Sequence, residues 1–161
     1  MTNDETIRGE LTRTLSGRGA HIPFEAAVEG FPYELVGRRV DRIPHTMWHL
    51  VEHMRIAQWD IVDFCRDPAH VSPEYPKGYW PQVDGPESRE AWEESLAAFA
   101  RDLEDMKAMV SDPESDLYTP FAHGDGQNLL REAVVLTDHN SYHLAQIVDL
   151  RMLLGVPVRD W

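Results

Sequence analysis

The last part of the chain carries a rhythm that few folds can satisfy. Leu129, Ala133, Leu136, Asn140, His143, Ile147, Leu150 and Leu154 are separated alternately by four and three residues. At about 3.6 residues per turn, positions three and four apart share one face, so this spacing draws a stripe down a helix. The alternation recurs in Met47, Leu50, Met54, Ala57, Ile61 and Phe64, and again in Trp92, Leu96, Phe99, Leu103, Met106 and Val110. A shorter stripe of Ile7, Leu11 and Leu15 opens the chain. No segment of any length alternates with the period of two that a half-buried strand needs. Four helices, each apolar along one stripe, must bury those stripes against one another. The expected architecture is therefore all-α, a four-helix bundle.

Punctuation sets the limits of these helices. Asn3 or Asp4 is placed to cap the first and Gly17 to end it. Thr46, Ser88 and Asn128 are the expected caps of the other three, with Asp112-Pro113 and then Gly155 with Pro157 as stops. Pro23 to Val28 reads as a short helix with proline in its first turn, set inside a long connection. Between Asp67 and Glu87 lie five prolines and three aromatics, Tyr75, Tyr79 and Trp80. A loop of that length and content is expected to pack down as a lid or rim. A second long loop, 114–127, holds His123 between Ala122 and Gly124. Two long connections leave the order of the helices around the bundle open. The length of 161 residues suits one domain, 1–161.

Charge removes whole classes of function. Fifteen Lys and Arg face 28 Asp and Glu, a formal net charge of −13. Phosphate binding needs a basic stripe, so no nucleic-acid partner is expected. The first ten residues lack an apolar leader core and no apolar run is long enough to span a bilayer. The expectation is a cytoplasmic protein without a membrane partner. Cys65 is the single cysteine, which excludes an intrachain disulfide and a cysteine-based zinc site. Any metal would be held by nitrogen and oxygen.

Two positions of the last stripe are polar. An unpaired polar group in such a seam costs on the order of 1–3 kcal/mol, so Asn140 and His143 need partners there. His139 lies one turn before His143, and Glu132 and Gln146 share its flank. Of His45, His49 and His53, each is turned about 40° from the next on an ideal helix. They stand roughly 160°, 120° and 80° from the middle of their stripe, so only His53 borders the core. His53 with His139 and His143 would make a three-nitrogen face with open positions, the layout of a catalytic rather than a structural metal. Histidines hydrogen-bonded within the core are the alternative reading.

The stretch Thr46-Met47-Trp48-His49-Leu50-Val51-Glu52-His53-Met54, followed far along by His139-Asn140-Ser141-Tyr142-His143-Leu144-Ala145-Gln146-Ile147, resembles the two motifs of the DinB/YfiT-like superfamily. The resemblance extends over nearly the whole chain. It implies a four-helix bundle with one divalent metal held by His53, His139 and His143. Ala145 stands where many relatives have glycine, a methyl that would hold apart whatever packs there. Imidazole suits zinc and nickel best, with iron as a further choice. Members of the superfamily include bacillithiol transferases and mycothiol-dependent maleylpyruvate isomerases. The chemistry so implied is activation of a low-molecular-weight thiol, as co-substrate, towards a small-molecule electrophile. Metal-assisted hydrolysis and a non-catalytic, metal-bearing binding module are the alternatives.

Candidates for orienting the ligands or moving protons are His49, Glu132, Asn140 and Gln146. The plainer readings are a surface residue for His49, a solvated flank for Glu132 and a register-setting amide for Asn140. Trp48, Tyr79, Trp80 and Tyr142 are the candidate pocket residues. The family's tendency to dimerise, with Ile56 and Trp59 to spare on the second long helix, implies a homodimer.

Overall fold

Five α-helices and two short 3₁₀ turns make up all the regular structure among residues 2–158, which are those the computed structural model describes. They are α1 (Asn3–Leu15), α2 (Phe24–Val28), α3 (Met47–Arg66), α4 (Arg89–Ser111) and α5 (Leu129–Leu153). The four long ones form the bundle and α2 packs against α5. Thr46, Ser88 and Asn128 cap their helices, each side chain accepting from the backbone N–H three residues on. The first helix starts one residue earlier than expected. Thr2 is its cap, because Glu5 lies three residues on and reaches back to the Thr2 N–H to close a capping box. Gly17 follows α1 with a positive φ of 64°, and a Cβ there would lie 2.6 Å from Pro23.

The stripes are the core. Met47, Leu50 and Met54 of α3, Phe99, Met106 and Val110 of α4, and Ala133, Leu136 and Ile147 of α5 are buried together. Burial of α3 extends well beyond its stripe, taking in Trp48, Val51 and His49. His49, expected far from the core, is buried because residues 83–84 of the loop lie over it and its own Nδ1 turns in to the helix cap.

Cross-helix bonds give the helix order that the sequence left open. Ser95 donates to Glu52, Gln58 to the Phe99 carbonyl, and Arg66 pairs with Asp105. The partners climb together, so α3 and α4 run parallel. His53 meets His143 and Gln58 meets Asn140, so α5 runs antiparallel to α3. α1 packs on α4 and α5 from the side opposite α3. Parallel neighbours need a connection that returns along the bundle, roughly 30 Å for a helix of this length. That is why 67–88 is long, and its return path carries Tyr79 and Trp80 past His53. No helix is long and apolar enough to cross a membrane among the described residues.

Candidate metal centre

His53 on α3 and His139 and His143 on α5 face one another across the bundle seam. One ring nitrogen from each lies within 4.8 Å of the other two. His53 Nε2 is 3.0 Å from His139 Nε2 and 3.1 Å from His143 Nε2. Donor atoms around one ion at metal–nitrogen distances of about 2.0–2.1 Å are spaced by roughly 3.0–3.4 Å. The spacing fits a shared ion.

The protons make the same point. His53 Nδ1–H donates to the Tyr79 carbonyl at 2.9 Å, and His143 Nδ1–H to Gln146 Oε1 at 2.7 Å. A neutral imidazole with its proton on Nδ1 has only a lone pair on Nε2. Two bare lone pairs therefore meet at 3.1 Å between His53 and His143, an arrangement that repels unless a positive charge lies between them. Burial keeps these rings neutral: it lowers His53 and His139 to about 4 and lowers His143 as well. The Tyr79 carbonyl behind His53 and the Gln146 oxygen behind His143 pull the other way and do not offset it. The set fits a divalent cation.

Beside the triad opens a cavity of about 420 Å³ lined by Ala57, Tyr75, Tyr79, Trp80, Tyr142 and the three histidines. The Trp80 indole is sandwiched, lying parallel to His53 at 3.7 Å and to His45 at 4.2 Å. The loop that delivers it is pinned by Asp60. One Asp60 carboxylate oxygen accepts from Tyr79 Oη at 2.6 Å and the other meets His70 Nε2 at 2.7 Å. Burial, then this bond, pushes the Tyr79 phenol up to about 12, so it stays a donor.

Of the sequence candidates, Tyr79, Trp80 and Tyr142 line the cavity. Trp48 does not. It turns to the α3–α4 side, tilted against Trp92 at 6.4 Å, because the position next to the stripe on that flank faces α4. Gln146 stands behind His143. His49 stands away from the triad and takes the place of the usual Glu or Gln in the capping box of α3, accepting from the Thr46 N–H at 3.1 Å. Glu132 pairs with Arg131 two turns from His139 and does not line the cavity. Asn140 donates to Gln58 at 3.0 Å. His123 bonds the Phe64 carbonyl at the far end of α3. Ala145 is exposed on α5. Asp60 and Gln58, which the sequence reading passed over, are also buried on α3, and in the sequence they differ from other polar residues only in flanking the stripe positions Ala57 and Ile61.

The model of one family, the DinB superfamily, matches residues 23–147, well over half of the chain. The chain belongs to the DinB superfamily. No curated protein and no solved structure matches it. The matched span of this DinB protein takes in α2 to α5 up to Ile147 and all three clustered histidines.

Proposed function

We propose that this DinB protein is a metal-dependent enzyme that transfers a low-molecular-weight thiol to a small, uncharged electrophile. The observation that carries the reading is the convergence of three neutral imidazoles on one point at the wall of an aromatic cavity. Zinc and nickel are the preferred occupants and iron the third. A divalent ion held by three neutral ligands keeps its full charge and lowers the pKa of a thiol or water at an open position.

The chain's own residues favour thiol over water. Hydrolysis calls for a nearby base, and no carboxylate lines the cavity among the described residues, since Asp60 is committed to Tyr79 and His70. Cys65 is no substitute for an external thiol. Its own thiol is raised to about 12, mainly by burial, and it stands outside the cavity. The walls offer Tyr75, Tyr79, Trp80 and Tyr142 but neither Lys nor Arg, and the net charge of −13 repels anions. An uncharged, flat electrophile suits them. A homodimer belongs to the same proposal, with Ile56 and Trp59 half-buried on α3. Sedimentation at micromolar concentration tests it, and a monomer there removes it.

Elemental analysis of untagged protein, beside folded His53→Ala and His143→Ala variants, tests the centre. About one zinc, nickel or iron per chain, lost in both variants, is expected. Conjugation of a small thiol to an aromatic epoxide or halide should then depend on that metal. No metal after incubation with zinc and nickel overturns the proposal, and a metal-loaded protein inert to thiols but active on esters replaces transfer with hydrolysis.

A further inference from the structure

His53 and His143 each have an oxygen behind Nδ1 that sets the proton there. His139 has no such bond of regular geometry. Its Nδ1 is buried and unpaired, and so is the Oδ1 of its neighbour Asn140. Burial lowers the His139 pKa, and the Asn140 side chain already stands close enough to pull it back up in part. Two orphaned atoms on adjacent residues, one able to donate and the other only to accept, complement each other.

The direction of the Asn140 amide is decided further off. The Phe99 main-chain carbonyl on α4 can only accept, so Gln58 on α3 turns its NH₂ to it, at 2.5 Å. Gln58 is fully buried, and its Oε1 is thereby left facing Asn140 on α5. Asn140 must then present Nδ2, which donates at 3.0 Å, leaving Oδ1 for its other side. Reversing either amide alone sets oxygen against oxygen. One backbone carbonyl thus orders a line of polar groups across three helices.

We propose that Gln58 and Asn140 are positioning residues that hold the His139 imidazole as its Nδ1–H tautomer, so that its bare Nε2 joins those of His53 and His143. The last bond, Nδ1–H to Oδ1, pairs the two unbonded atoms. Each imidazole of the triad then has its own oxygen behind it, on the Tyr79 main chain, Gln146 and Asn140. Such outer partners fix the tautomer and orientation of a metal-binding histidine. The role in metal binding rests on the function proposed above, whereas the tautomer itself belongs to the metal-free protein.

Long-range ¹⁵N correlation spectra of the histidine rings in metal-free protein at pH 8 test it. The His139 signal is expected in the Nδ1–H pattern, with the Asn140 bond outweighing the competing arrangement in which an Nε2–H donates to the bare His53 Nε2 at 3.0 Å. In Gln58→Met, which alters neither His139 nor Asn140 itself but removes the oxygen that holds the Asn140 amide, that amide can reverse and the pattern should become mixed. Asn140→Leu should do the same, and zinc affinity should fall about 10–100-fold in both. An Nε2–H pattern in the parent overturns the inference, and that spectrum needs no variant to fold. A pattern unchanged in either folded variant also overturns it, because a role in packing alone would leave the tautomer as it was. The Nδ1–H pattern in a parent that binds no zinc or nickel defeats the metal reading and upholds the line of bonds. Zinc binding with an Nε2–H pattern does the reverse.

Discussion

Neutral histidines at the triad make the protein sensitive to acid. His53 and His139 titrate at about 4 in the fold against an ordinary value of 6.5. Between those two values the unfolded chain takes up protons that the folded chain refuses, so stability falls as pH falls through that window. The metal-free protein should melt at a clearly lower temperature at pH 5 than at pH 7, and His139→Gln should narrow the difference, with His53 keeping its own share. Thermal unfolding followed by circular dichroism in chelator reads this directly, and parallel curves for the two proteins would sink it. Gln146 acts at the same scale. Gln146→Leu takes away the oxygen that holds His143 Nδ1–H and should weaken zinc binding about 10–100-fold in competition with a chromophoric chelator, with little change in melting temperature.

At the scale of elements, the aromatic loop and α3 act as one unit. The loop is held at Asp60 by Tyr79 and His70, and it returns the favour by placing the Tyr79 carbonyl behind His53. Asp60→Ala leaves the Tyr79 hydroxyl and the His70 ring without their partner, at a cost of about 1–3 kcal/mol. Limited proteolysis should then cut within 67–87 faster than in the parent, and zinc binding should weaken although no ligand has changed. Equal cutting rates would show that the prolines and the Trp80 stack hold the loop without Asp60. The capping box of α3 belongs to this scale too. Thr46 and His49 close the helix start and Thr46 Oγ1 donates to the Asp84 carbonyl, which ties the far end of the same loop to α3.

For the whole molecule, buried arginines join parts distant in sequence. Arg8 of α1 donates to the carbonyls of Val110, Asp112 and Ser115 at the end of α4, with Asp4 as its counter-ion. Arg151 of α5 does likewise to Ala27, Glu29 and Val156. Arg8→Ala strips three carbonyls of a charged donor, and hydrogen bonds to charged groups contribute roughly 1.5–3 kcal/mol each before losses are shared. Urea unfolding should report a loss of about 3 kcal/mol. Metal content should stay as in the parent, since Arg8 binds the α4 end while the triad lies between α3 and α5. Metal lost together with stability would mean that the bundle transmits strain from one end to the other.

Helices, caps and core stripes were legible in the residues because each depends on neighbours within one or two turns. Thr46, Ser88 and Asn128 cap where their side chains can reach three residues ahead, and the three-four stripes point inward whatever they pack against. His139 and His143 share a face for the same local reason, and His53 faced the core at the edge of its own stripe. Thr2 in place of Asn3 or Asp4 shows that even a cap depends on which residue finds its reciprocal partner, Glu5. Only the tertiary structure decided that α3 and α4 run parallel, for stripes carry no direction. From that one choice follow the returning loop, the Tyr79 carbonyl behind His53, the burial of His49 and the turn of Trp48 towards α4. Main-chain carbonyls such as those of Tyr79 and Phe99 leave no trace in a sequence, because every residue has one and the fold alone selects which will orient a side chain.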